Sequence, residues 1–133
     1  MPGKNTYEIK KFIECCNEHP EQVVVLEKAL KDAQSIFHLY TKPDLLSFIG
    51  NGGMEKPEFI NSKPWEKSPF MEAPLVDAYD FYTNNILGYI AFFKNPNNKW
   101  VIKSFHQSEN RSGIMGEAVL KFLNKQKEIT DGK

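Results

Sequence analysis

The sequence predicts an α+β fold with N-terminal helices, a long ordered loop, a three- or four-stranded antiparallel meander and a C-terminal helix. Apolar residues near the N-terminus recur every three or four positions, which is typical of helices packed on one side. Residues 76–82, 87–94 and 99–106 instead alternate between apolar and polar side chains, which is typical of half-buried strands. The polar loop Asn95-Pro-Asn-Asn98 joins the last two runs and indicates a hairpin.

Length and composition predict a single soluble domain over residues 1–133. A hydrophobic content of 41% excludes general disorder, and the chain is long enough to bury a core. Seventeen basic residues balance 17 acidic ones, which argues against a polyanion as the main partner but leaves a local basic patch open. The adjacent Cys15 and Cys16 predict no disulfide, and we find no signal-peptide core or membrane-length apolar run. We therefore expect a cytoplasmic protein without a membrane partner.

Three helices are predicted in the N-terminal half. Asn5-Thr-Tyr-Glu8 has the form of a capping box and precedes a helix over residues 6–18. One apolar stripe predicts a second helix over residues 20–40: Val23, Leu26, Leu30, Ala33, Phe37 and Tyr40. Thr41 and Pro43 indicate the start of a short third helix, which Gly50-Asn-Gly-Gly53 ends.

The second half is predicted to begin with a long loop. Prolines interrupt residues 50–75, so we expect an ordered loop there with at most one short strand over 58–61. In the strand that follows, alternation places Val76 and Ala78 on one side and Tyr79 on the other. A final helix over residues 113–127 would bury Met115, Val119, Phe122 and Leu123.

Aromatic side chains near the sheet predict a ligand site. Such residues can line a cavity or stack bases, although they more often belong to the core. The candidates are Trp65, Phe70, Tyr79 and Tyr89, with the 50–75 loop as a lid. The leading hypothesis is a non-enzymatic binding or interaction module without a cofactor, whose partner is an unidentified small molecule or protein. An exposed edge strand or the stripe over residues 20–40 could also form a homodimer.

The polar end of the hairpin predicts an alternative function. A histidine that titrates near neutrality can transfer protons, and lysine or arginine can stabilise developing negative charge. Lys103, His106 and Arg111 could therefore cleave RNA without a metal, with the 2′-hydroxyl as the internal nucleophile. Any surface strand end supplies such groups, so a solvated strand end is the more frequent explanation for them. The sequence leaves open whether the protein is an enzyme.

Neither a metal site nor a cysteine nucleophile is predicted. His19, His38 and His106 are dispersed and lack acidic residues at ligand spacing. Cys15 and Cys16 lie near a predicted helix C-terminus, where the helix dipole disfavours a thiolate.

Two family resemblances involve the stretch Lys99-Trp-Val-Ile-Lys-Ser-Phe-His106-Gln-Ser. It resembles the late strand of domains of the nuclear transport factor type, which implies a sheet curved around a pocket. With the leading helices and the meander, it also resembles the small metal-independent ribonucleases of the RelE and barnase-like toxin group. The second resemblance implies an RNA-cleaving site in which Lys103, His106 and Arg111 are the residues to test.

Overall fold

The computed structural model describes residues 5–65, 68, 73–83 and 85–108, and this part of the chain is α+β. Its helices are α1 (Ile9–Glu18), α2 (Glu27–Phe37) and α3 (Lys42–Gly50), with a 3-10 turn at Pro20–Gln22. Its strands are β1 (Val23–Val25), β2 (Glu55–Pro64), β3 (Leu75–Thr83), β4 (Ile86–Lys94) and β5 (Trp100–Gln107). The helix predicted over residues 113–127 lies outside the described residues.

The five described strands form one mixed sheet in the order β1-β5-β4-β3-β2. Strands β2 to β5 pair antiparallel with their sequence neighbours. Strand β1 pairs parallel with β5, with Val24 opposite Val101. The predicted α+β class is therefore confirmed, but the sheet has five strands and is not a purely antiparallel meander.

The helix predicted over residues 20–40 is wrong in its first part. Val23–Val25 forms β1, and α2 begins only at Glu27. Three consecutive β-branched residues favour an extended backbone, and Val23 is fully buried beside β5. The spacing of Val23, Leu26 and Leu30 matches that of a helical stripe, but Val23 lies in β1 and Leu30 in α2.

The loop predicted over residues 50–75 is also wrong over much of its length, because residues 55–64 form β2. In the described sheet β2 is an edge strand, so Pro57 and Pro64 need not donate to a neighbour on its outer side. A register shift between Glu55 and Glu58, with Lys56 at φ 47°, accommodates Pro57 within the strand.

The main core lies between the helices and one face of the sheet, which we call the helix face. Phe12 of α1 stacks on Phe92 of β4, with ring centroids 4.2 Å apart and planes 5° apart. Ala29 and Ala33 of α2 are fully buried, and their small side chains allow this helix to approach the sheet closely. Helix α3 begins as predicted, because Thr41 Oγ1 accepts the N–H of Asp44 at 3.2 Å.

The chain before α1 is anchored to β3 through Asp77. This fully buried carboxylate accepts the N–H of Thr6 at 2.9 and 3.0 Å and the N–H of Tyr7 at 2.9 Å. The predicted capping box does not form, since α1 begins at Ile9 and Glu8 makes no side-chain capping bond. A carboxylate distant in sequence therefore fixes the N-terminal segment.

Candidate functional site

A second apolar cluster lies on the sheet face opposite the helices, which we call the second face. Its buried members come from β3, β4 and β5: Val76, Ala78, Ala91, Phe93 and Val101. Partly buried residues pack against them: Tyr7, Val24, Leu26, Ile60, Trp65 and Tyr89. Since this cluster is separate from the core beneath the helices, it can shape a site of its own.

A groove of about 400 Å³ crosses the second face from β2 to β5, and we call it the second-face groove. Its floor is formed by Val76, Ala78 and Ala91, whose short side chains leave space above the sheet. Ala78 and Ala91 are direct cross-strand partners, so the floor is flat at its centre. The remaining lining residues are Asn61, Lys63, Pro64, Trp65, Tyr89 and Lys103.

Two aromatic side chains form the walls of this groove. Trp65, just after β2, packs on Phe93 with ring centroids 5.4 Å apart. Its backbone N–H donates to the carbonyl of Pro74 at 3.0 Å. Tyr89 of β4 stacks on His106 of β5, with centroids 4.8 Å apart and planes 18° apart. Aromatic walls of this kind offer ring faces to a planar ligand.

The charges that line the groove are positive. Lys103 Nζ lies 5.5 Å from the centroid of the Trp65 ring, and Lys63 enters from β2. None of the described lining residues is acidic. Three ion pairs between described residues lie away from the groove: His19–Glu21, Lys28–Asp32 and Lys31–Glu27. A cleft lined by charges of one sign attracts ligands of the opposite sign, in this case anions.

An acidic residue, Asp80, lies at the end of the second face that is opposite Lys63. Asp80, which is 7% exposed, is the cross-strand partner of Tyr89. Burial, with a smaller contribution from the negative charge of Asp80, raises the pKa of the Tyr89 hydroxyl. Tyr89 is therefore a neutral hydroxyl at physiological pH. On the second face, Lys63 therefore lies at the Val76 end, Lys103 near Ala91 in the middle, and Asp80 beside Tyr89 at the other end.

A β-bulge in β5 determines which side chains reach the second face. Strict alternation would place His106 with Ile102 and separate it from Lys103. The register shifts opposite Ala91 and Phe92, between Ser104 and Ile102. Phe105 consequently joins Ile102 on the helix face, whereas Lys103 and His106 both lie on the second face.

The ring of His106 is held by its own strand as well as by Tyr89. Its Nδ1–H donates to the carbonyl oxygen of Gln107 at 2.8 Å. Since that carbonyl can only accept, the neutral ring carries its proton on Nδ1, and Nε2 can accept a proton.

The structure brings some of the residues predicted for ligand binding or catalysis together and separates others. Trp65, Tyr89 and Lys103 line one groove, and His106 contacts it through Tyr89. Tyr79 lies instead on the helix face, 5% exposed, with its ring stacked 5.9 Å from that of Phe92.

Phe70 and Arg111 lie outside the described residues. Asn61 and Lys63, which line the groove, were missed because their segment reads as a loop. The short strand predicted over 58–61 was the available signal, but it stopped before Lys63.

A second cavity, of about 420 Å³, lies between α1 and the start of α3. Its lining includes one acid and one base, Glu21 and Lys42, so it shows no preference for ligand charge. The Cys16 thiol also lines it, but burial raises the pKa of this thiol to about 12, which makes it a poor nucleophile. We therefore consider the second-face groove the stronger candidate.

The described residues hold neither a metal-binding cluster nor a membrane-spanning helix. Among them, no three His, Cys, Asp or Glu side chains are placed to hold a metal ion. No helix in this part of the chain is both long and apolar enough to cross a membrane. Both cysteines of the chain are free thiols.

In comparisons with known proteins, the chain matches no protein-family model, no curated protein and no solved structure.

Proposed function

We propose that this protein is a binding module whose ligand is a small anion with a flat apolar part, held in the second-face groove. The observation that carries the proposal is the arrangement of Lys63 and Lys103 around a flat alanine floor. Apolar pockets with a few convergent polar groups are the usual form of small-molecule sites.

The size of the groove supports a small ligand. Its volume of about 400 Å³ lies near the lower end of the usual range for such sites, roughly 300–1,000 Å³. The floor and the walls supply apolar contact, and the lysines and the Asn61 amide supply orientation. In other ligand pockets, likewise, apolar side chains bury the ligand and a few polar groups make the site specific.

The proposal can be tested with three probes of similar size and different charge: phenyl phosphate, phenol and benzylammonium. We expect phenyl phosphate to shift the amide signals of Asn61, Ala78 and Ala91 in a two-dimensional NMR titration, and the other two probes to shift them less. Ala91→Leu should fill the groove and abolish these shifts.

Lys103→Met provides a variant that does not disturb the floor. It should weaken phenyl phosphate binding, whereas Lys10→Met on the exposed surface of α1 should not. If phenyl phosphate shifts no groove amide in the wild-type protein, or shifts only residues beside Cys16, the proposal is wrong.

A second candidate is metal-independent RNA cleavage, which the bulge in β5 favours because it places His106 and Lys103 on the same face. In this reaction His106 Nε2 takes the proton of the 2′-hydroxyl, whose oxygen attacks the adjacent phosphorus. The bond from phosphorus to the 5′-oxygen breaks, solvent protonates that oxygen, and a 2′,3′-cyclic phosphate remains. The Lys103 ammonium stabilises the charge on the phosphoryl oxygens.

An RNA degradation assay in the presence of a chelator tests this second candidate. His106→Ala should remove the activity, and His19→Ala, at an exposed histidine distant from the groove, should retain it. Absence of cleavage by the wild-type protein, or equal cleavage by His106→Ala, would exclude this function.

A further inference from the structure

We infer that residues 58–63 of β2 pair with the same residues of a second copy of this chain, so that two sheets join edge to edge. Within the described residues, β2 is an edge strand and no strand pairs with its outer side. The other described edge strand, β1, has only three residues. A second copy fits the edge of β2 because this segment is symmetric about the bond between Ile60 and Asn61. The inference does not depend on the binding function proposed above.

The strand register shows which backbone groups of the segment point outward. The backbone N–H of Trp65 donates to the carbonyl of Pro74, immediately before β3. Even-numbered residues of β3 therefore direct their backbone groups toward β2, and odd-numbered residues direct theirs toward β4. Two residues of the segment have odd-numbered partners on β3: Phe59 and Ser62. The N–H and C=O groups of these two residues consequently point away from the sheet.

A β-bulge gives the centre of the segment two neighbours on one face. The register shifts between Phe59 and Asn61, which makes Ile60 an extra residue in β2. Ile60 packs against the apolar cluster of the second face, and Asn61 lines the second-face groove. Both side chains therefore lie on the second face, whereas regular alternation would place them on opposite faces.

The residues on either side of the bulge continue this symmetry. Phe59 and Ser62 lie on the helix face, because their partners on β3 are odd-numbered, as are the β3 members of the main core. Glu58 and Lys63 lie on the second face, because their partners are even-numbered, as are the β3 members of the second-face cluster. Residues at equal distances from the centre of the segment therefore share a face.

In an antiparallel pair with a twofold axis between Ile60 and Asn61, every residue of the segment meets a residue on the same face. Phe59 of one copy lies opposite Ser62 of the second copy, and their outward N–H and C=O groups exchange two hydrogen bonds. Symmetry repeats this exchange on the other side of the axis. Because both copies carry the same extra residue, the two exchanges remain in register.

The charges at the two ends of the segment are complementary in this arrangement. Glu58 and Lys63 are both exposed, and Glu58 of one copy lies opposite Lys63 of the second copy. Opposite charges directly across two strands stabilise the pair, whereas like charges destabilise it. Pro57 and Pro64 lack an N–H group and lie just beyond the segment, so they end the ladder of hydrogen bonds. An interface confined to residues 58–63 is small, which predicts a weak and reversible dimer.

Dilution of the wild-type protein is the first test. We expect sedimentation equilibrium to show a monomer–dimer equilibrium that shifts toward monomer at low concentration. In two-dimensional NMR spectra, the amide signals of Phe59 and Ser62 should move on roughly twentyfold dilution, whereas that of Val24 on the β1 edge should not. A monomer at every concentration, or a dimer whose dilution leaves the Phe59 and Ser62 amides unmoved, would overturn the inference.

Two charge variants and their mixture test whether the segment pairs with itself. Glu58→Lys places lysines opposite each other and Lys63→Glu places glutamates opposite each other, so each variant alone should associate at least about tenfold more weakly. An equimolar mixture should recover wild-type association, because every pair between the two variants is then opposite in charge. Glu55→Lys, at an exposed position of β2 outside the segment, is the matched control and should associate like the wild type.

The mixture separates a contact between copies from an effect within one chain, since only a contact between copies allows one variant to rescue the other. If Glu58→Lys alone associates as strongly as the wild type, or if the mixture shows no recovery, the copies meet at another surface and the inference is wrong. Neither result changes the expected binding of phenyl phosphate, so failure of the dimer and failure of the proposed binding function are distinguishable.

Discussion

Asp77→Asn should destabilise the protein by about 2–3 kcal/mol, because this side chain joins the N-terminal segment to β3. The fully buried carboxylate accepts the N–H groups of Thr6 and Tyr7 at 2.9–3.0 Å. Hydrogen bonds to charged groups contribute about 1.5–3 kcal/mol each. Asparagine retains one acceptor oxygen but directs an amide N–H toward the other donor, so one bond is lost and the second loses its charge.

Thermal and urea unfolding measure this loss. For a chain of this size we expect the midpoint temperature to fall by roughly 6–12 °C. Thr6→Val is the matched control, because it removes only the exposed hydrogen bond between Thr6 Oγ1 and Ser62 Oγ and keeps the backbone donor. It should cost less than about 0.5 kcal/mol.

A double-mutant cycle tests the assigned cause. In a variant lacking residues 1–7 the donors are absent, so Asp77→Asn should change the free energy of unfolding by less than about 0.5 kcal/mol or even increase stability. If Asp77→Asn destabilises both backgrounds equally, the carboxylate acts through something other than Thr6 and Tyr7, and the reasoning is refuted.

Three further predictions concern backbone space, thiol reactivity and a helix cap. Gly88→Ala should destabilise by about 1–3 kcal/mol in urea unfolding, because a Cβ there would lie 2.3 Å from the Phe81 ring, and an unchanged midpoint would contradict this close approach. Iodoacetamide at pH 8 should modify Cys15 of the folded protein slowly and spare Cys16, whose thiol pKa burial raises to about 12; rapid double alkylation by mass spectrometry would disprove this. Thr41→Ala should lower the free energy of unfolding by about 1 kcal/mol, and Thr41→Ser, which keeps the hydroxyl, should be close to wild type. Equal losses in both variants would show that the hydroxyl cap does not stabilise α3.

The sequence predicts those elements whose signals are local. Helix α3 could be predicted because its cap at Thr41 and its first-turn proline are neighbours in the chain. Strands β4 and β5 could be predicted because alternation is visible within each run. Strand β1 could not be predicted, because Val23–Val25 becomes a strand by pairing with β5, more than seventy residues away. Strand β2 could be predicted only over residues 58–61, because Pro57 and Pro64 argue against a longer strand unless its edge position is known.

The same distinction applies to the candidate site. Trp65, Tyr89 and Lys103 could be predicted from residue type, because aromatic and cationic side chains near a sheet suggest a ligand. That they share one groove depends on long-range pairing. Asn61 and Lys63 enter it only because β2 pairs with β3.

The bulge in β5 makes a further prediction that separates the observed register from strict alternation. Phe105 is fully buried, with its ring 5.0 Å from that of Phe37 and 6.1 Å from that of Phe48. Phe105→Ala should therefore cost about 3–5 kcal/mol of stability in urea unfolding, whereas His106→Ala should cost less than about 1 kcal/mol. Strict alternation would place Phe105 with Lys103 on the second face and His106 in the core, and it requires the reverse order of losses. If His106→Ala is the more destabilising variant, His106 and Lys103 lie on opposite faces, and RNA cleavage by this pair is excluded.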